Sequence, residues 1–169
     1  MPQSREWRKL SEQQKATIAQ FQNGDTVPIG ALARSLGLRI KVANLGPGKS
    51  GQISRDDEGY VIKVNRFETK ERQRFTIAHE IAHFLLHREI IDSSPDGIVD
   101  TVLYRSGAPE NVEYEANRLA ADILMPRRSV ERRLRELGGR VTELAIEVLA
   151  RDFKVSKGAM EIRLQNVNA

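Results

Sequence analysis

His79, Glu80 and His83 form a His-Glu-x-x-His arrangement, and together with His87 they include every histidine of the chain within nine residues. The stretch from Arg74 to His87 is apolar, with Phe75, Ala78, Ala82 and Leu86 recurring at spacings of three and four, and no Gly or Pro interrupts it. That periodicity is helical. On a helix, residues four apart lie one turn above each other, so His79 and His83 can both reach a single metal ion. Glu80 is turned by about 100° from His79, placed to take a proton from an activated water instead of binding the metal. The plain alternative is a pair of hydrogen-bonded core histidines. Against it, two imidazoles and a carboxylate buried on one apolar helix without partners would cost about 1–3 kcal/mol per unpaired group, a cost that a bound metal removes.

A catalytic zinc needs three protein ligands and one position left open. His87 lies eight residues beyond His79, about 12 Å along the helix axis, too far for both to bind one ion at about 2 Å. The extended motif with a third histidine also fails, because Leu86 and Glu89 occupy its Gly and His positions. The third ligand is therefore expected from another helix, over residues 111–126, which starts at Asn111 and is halted by Pro126. Glu115, four before Leu119 and eight before Ile123, borders the apolar face of that helix and is the favoured ligand. Glu113 is the alternative; close to the helix start, it also suits a role as partner of the helix dipole. Oxyanion stabilisation calls for an electrophile as well, and Tyr104, Arg105 and Tyr114 are the candidates.

His79-Glu80-x-x-His83, followed by Glu115-Ala116-Asn117-x-x-Ala120-Ala121-x-x-Leu124-Met125-Pro126, resembles the ImmA/IrrE family of zinc peptidases. Gly59-Tyr60-Val61-Ile62-Lys63-Val64-Asn65 and Arg72-Gln73-Arg74-Phe75-Thr76 extend the resemblance, which spans roughly residues 27–126. Leu119 departs from the Phe usual there, a change of packing and not of chemistry. The resemblance implies a minimal zincin-like fold, a Zn²⁺ cofactor and an endopeptidase that cuts helix-turn-helix repressors in phage, mobile-element or stress regulons. The contrasting expectation is a non-catalytic regulator that binds a repressor or DNA through the basic C-terminal helices.

With 169 residues, the chain can bury a substantial core. Hydrophobic residues make up 40% and charged residues 30%, and the absence of cysteine excludes disulfides and thiolate-held zinc. The N-terminus carries no apolar signal core and no run approaches a membrane span, so a cytoplasmic protein without membrane contact is expected. The net charge of +4 is mild. Its densest part, Arg127, Arg128, Arg132, Arg133, Arg135 and Arg140, is read first as a solvated helix face. Gly46-Pro47-Gly48-Lys49-Ser50-Gly51 contains Gly-Lys-Ser, but the Gly that a phosphate loop requires is replaced by Ala43, and strand-like sequence follows; a turn is the better account.

These residues need elements to hold them. An amphipathic helix is expected over residues 4–22 and a second over 27–36, then an edge strand at 38–43. A hairpin follows, from a strand at 52–55 across Asp56-Asp57-Glu58-Gly59 to a strand at 60–65. The expected architecture is α+β, a small three-stranded sheet packed on helices that include the metal helix at 70–87. Beside that helix, an edge strand is expected to bind substrate backbone as an added strand. Residues 88–111 read as an irregular segment. Residues 1–126 are expected to form the catalytic unit, with 127–169 a helical segment packed on it. The pattern from Leu144 to Leu164 resembles a helix-turn-helix, with a protein-docking role favoured over DNA binding through Lys157, Arg163 or Gln165.

Overall fold

The computed structural model describes residues 3–101 and 109–165. Ser4 caps α1 (Arg5–Lys9) by accepting from the Trp7 amide, and Ser11 caps α2 (Glu12–Gln20) in a reciprocal capping box with Gln14. Residues 4–22 are thus two helices, not the single one expected, because Ser11 satisfies a new helix start where one continuous helix would have run. α3 (Ile29–Ser35) leads into β1 (Arg39–Ala43), and β2 (Lys49–Asp56) and β3 (Gly59–Asn65) form the hairpin. The long helix α4 (Lys70–Leu86) follows, then α5 (Arg88–Asp92), β4 (Ile98–Thr101) and α6 (Glu110–Leu124). α7 (Arg127–Glu136), α8 (Glu143–Phe153) and α9 (Lys157–Gln165) complete the described chain.

Among the described residues the sheet has four strands in the order β1-β3-β2-β4, with β1 parallel to β3 and the other pairs antiparallel. The expectation of three strands is corrected by β4, which lies in the segment read as irregular. Ile98-Val99-Asp100-Thr101 is short but rich in β-branched residues, and it pairs with β2 across Ile53 and Ile98. Alternation along β2 and β3 puts Gly51, Ile53, Ile62 and Val64 on one face, with Gly51 opposite Val64 and Ile53 opposite Ile62. That face receives α4. Gly51 is indispensable to the approach: a Cβ there would stand 2.3 Å from Thr76 Cγ2 and 3.4 Å from Glu80 Oε1.

On its other side α4 packs against α6. Ala78 and Ala82 of α4 and Ala116 and Ala120 of α6 are fully buried, and small side chains let two helix axes come close. One apolar core runs from Trp7 through Ile53, Ile81 and Ile123 to Phe153 and Leu164. Glu6, 1% exposed, accepts two hydrogen bonds from Arg118 at 3.0 and 2.8 Å, which fastens α1 to α6. Arg163 donates to the Met125 carbonyl at 3.0 Å and pairs with Asp122 at 2.8 Å. It is buried, so the base-reading role considered for it is not open to it in this arrangement. Three arginines of α7 meet acids of the chain itself: Arg127 pairs with Glu131, Arg132 with Asp25 and Glu136, and Arg133 with Asp152.

Candidate metal centre

α4 starts at Thr69, whose hydroxyl accepts from the Arg72 amide, and its middle is buried from Thr76 to Phe84. His79 is 3% exposed, Glu80 and His83 are fully buried, and all three sit where α4 lies between the sheet and α6. The Nε2 atoms of His79 and His83 are 3.0 Å apart. From α6, Glu113 brings one carboxylate oxygen to 3.1 Å from His79 Nε2 and the other to 3.4 Å from His83 Nε2. Ligand atoms at 2.0–2.1 Å around a tetrahedral zinc would lie about 3.3 Å from one another. The separations, two of them to different oxygens of Glu113, lie near that spacing, and one atom from each residue falls within 4.8 Å of the others, so these residues fit a zinc ion.

The preference for Glu115 over Glu113 is not supported by this geometry. Glu115 directs its carboxylate to His87 Nε2 at 2.9 Å and to Lys9 Nζ at 3.1 Å, away from the imidazole pair. The physical reason is the stripe that faces α4. Ala116 and Ala120 are fully buried, and Glu113 precedes them by three and seven residues, on their side of the helix, whereas Glu115 is turned by about 200° from Glu113. Asn117, four beyond Glu113, shares its face, and its Oδ1 lies 2.9 Å from His79 Nδ1. This was not foreseen as part of the site. An amide oxygen can only accept, so Nδ1 of His79 carries a proton, and Nε2 is the atom left to hold a metal once its own proton, shared with Glu113, has gone. His87 Nδ1 is 3.0 Å from His83 Nδ1, behind the pair and not among the converging atoms.

The charges are strongly coupled. Burial disfavours a charged His79, yet its hydrogen bond to Glu113 and the negative charges of Glu80, Asp100 and Glu113 outweigh that, lifting its pKa to about 9. Burial, reinforced by the charge of His79, takes His83 down to about 4 against the pull of Glu113. Glu80 is pushed well above the ordinary carboxylate range by burial, with Asp100 and Glu113 adding repulsion against the attraction of His79. Both Glu80 oxygens lack a hydrogen-bond partner among the described residues. An orphaned buried carboxylate beside two imidazoles marks a place for chemistry more than for stability. Asp100, at the end of β4, offers an oxygen to a second cluster with His79 and Glu80, and burial raises its pKa too. It was missed because its strand was missed.

Of the oxyanion candidates, Tyr114 is 44% exposed and its hydroxyl donates to Glu110 at 2.9 Å; Tyr104 and Arg105 lie outside the described residues.

A family model described as the IrrE N-terminal-like domain, a peptidase family, matches residues 33–165. The chain belongs to that family. The resemblance drawn from the His79 and Glu115 motifs is borne out, and the match extends past Pro126 to take in α7, α8 and α9. This IrrE N-terminal-like chain is also similar in fold to a Mycobacterium tuberculosis transcriptional regulator, at 18% identity and a TM-score of 0.59. That similarity covers 94% of this chain and 48% of the regulator, so the chain spans about half the length of that structure. No curated protein matches it. Among the described residues, no helix is long and apolar enough to cross a membrane.

Proposed function

We propose that the chain is a zinc-dependent endopeptidase whose ligands are His79, His83 and Glu113, with Glu80 as general base and a helix-turn-helix repressor as its substrate. The observation that carries this is the pair of unpartnered Glu80 oxygens, fully buried beside three converging ligand atoms. Zinc, when bound, supplies Lewis acidity toward the scissile carbonyl and lowers the pKa of water. Glu80 takes the proton from the attacking water and hands it to the leaving amine. Asn117 holds His79 in the tautomer that presents Nε2. Gly51 brings β2 against α4 and so fixes the depth of Glu80.

β4 ends the described sheet and carries Asp100 beside His79 and Glu80, which makes it the edge suited to an extended peptide. Residues 1–126 are assigned the catalysis, with α7, α8 and α9 docking the substrate in a cytoplasmic setting. The repressor substrate follows from family kinship.

The test is to incubate the purified chain with a repressor encoded beside it, with and without chelator. Glu80→Gln is expected to retain zinc and to lower cleavage by at least about 10²-fold. Undiminished cleavage by that variant refutes the mechanism. Repression relieved without cleavage, and insensitive to chelator, establishes the non-catalytic regulator instead.

A further inference from the structure

Behind His83 lies a line of polar side chains that the proposed chemistry does not use. His83 Nδ1 is 3.0 Å from His87 Nδ1, His87 Nε2 is 2.9 Å from Glu115 Oε2, and Glu115 Oε1 is 3.1 Å from Lys9 Nζ. The line runs from the core outward: His83 is fully buried, His87 is 8% exposed, and the Glu115 and Lys9 side chains are 23% and 52% exposed. Its direction is decided at both ends. An imidazole that offers the Nε2 lone pair to a metal carries its proton on Nδ1, so His83 must donate to His87 and the Nδ1 of His87 must accept. The proton of His87 then sits on Nε2, where it meets an acceptor-only carboxylate. Glu115 is held ionised by that hydrogen bond first, with Lys9 adding to it against partial burial.

Resting on zinc binding at His79, His83 and Glu113, we propose that His87 and Glu115 form a directed hydrogen-bond relay that locks the tautomer and ring orientation of His83. His79 has its own lock in Asn117, so each imidazole ligand is set by a different helix partner: one through a single amide on α6, the other through a histidine just past the end of α4 and a carboxylate on α6. His87 can serve because α4 stops at Leu86. As C-cap, with φ −129° and ψ 36°, His87 leaves the helical path while its amide still bonds to the His83 carbonyl at 2.7 Å. His87 and Glu115 are positioning residues, acting on zinc through His83.

The experiment uses the zinc-loaded full chain and two readouts that need no substrate. In nitrogen-detected NMR, His87 should carry its proton on Nε2 and none on Nδ1, with a coupling across the hydrogen bond between the two Nδ1 atoms. A proton on His87 Nδ1 overturns the relay. Glu115→Ala should yield both His87 tautomers; a spectrum unchanged from wild type removes Glu115 from it. Zinc affinity by chelator competition should fall about 10–100-fold in His87→Leu, the range for loss of a partner behind a metal ligand. His87→Asn, which restores an acceptor near the Nδ1 position, should recover most of that loss. Wild-type affinity in His87→Leu, or equal weakness in both variants, refutes a directional role in favour of packing. A wild-type chain that takes up no zinc refutes the metal site itself, and is thereby distinguished from failure of the relay alone.

Discussion

Gly51→Ala places a methyl where β2 and α4 touch, and its effect can be worked from the contacts. The new Cβ would stand 2.3 Å from Thr76 Cγ2, 3.1 Å from the Lys63 carbonyl and 3.4 Å from Glu80 Oε1. Carbon atoms settle at about 3.5–4.0 Å, so the strand and the helix must part by more than about 1 Å or Thr76 must leave its rotamer. Overpacking of this kind costs about 1–3 kcal/mol, which for a chain of this length lowers Tm by about 2–12 °C. Thr76→Ser deletes the offending Cγ2 and keeps the hydroxyl. Alone it loses one buried methyl, about 0.5–1.5 kcal/mol by analogy with other methyl deletions. Combined with Gly51→Ala it should relieve the closest contact, giving a favourable coupling of about 1 kcal/mol or more. Thermal melting of the four proteins of this cycle measures it. A Gly51→Ala chain that melts with the wild type, or a double variant equal to the sum of its singles, refutes the close approach of β2 to the metal helix.

Zinc affinity should depend on pH through His79. Its pKa of about 9 in the metal-free protein means that a proton must leave for Nε2 to bind, so apparent affinity drops about 10-fold per pH unit below that value. Titration calorimetry in buffers of different ionisation enthalpy should detect the released proton at neutral pH, and an affinity flat between about pH 6 and 8 contradicts the coupling. For metal-free stability the sign reverses: His79 is raised above its ordinary 6.5, so its contribution is complete below 6.5 and is lost as pH rises through about 9. Arg118→Met strands the buried Glu6 carboxylate and should cost about 1–3 kcal/mol in urea unfolding at neutral pH, whereas Glu6→Leu with Arg118→Met should recover much of it. Gly97 has φ +62°, and a Cβ there would lie 1.9 Å from the Ile53 carbonyl. Gly97→Ala should therefore detach β4 from β2, seen as faster amide exchange over residues 98–101.

His79, Glu80 and His83 were legible because chemistry and helical spacing coincide in five residues. Sequence alone favours Glu115 over Glu113 because an apolar stripe drawn through Leu119 and Ile123 does not reveal which part of it touches the metal helix. Counting back by three and seven from Ala116 and Ala120, small residues that are fully buried, leads to Glu113. The break between α1 and α2 was written in Ser11 and Gln14, a capping box overlooked beneath a continuous apolar pattern. β4 is four residues long, too short for alternation to separate it from loop, and Asp100 stayed hidden with it. The link from His87 to His83 depends on the chain leaving the helical path at a single residue, which periodicity cannot foretell.

Asp122 pairs with Arg163 of α9 at 2.8 Å and accepts from the Ser4 amide at 2.9 Å, while Gln22 donates to the carbonyls of Asp122 and Ile123. Both extremities of the described chain thus grip one turn of α6, the helix that presents Glu113, Glu115 and Asn117. Ser4, Glu6, Lys9 and Gln22 all precede residue 33, where the family match begins. Cutting the protein down to its matched region would strip away four of the side chains and amides that brace α6 while sparing every ligand. The catalytic inventory and the scaffold that keeps it aligned have different borders, and the second is the wider.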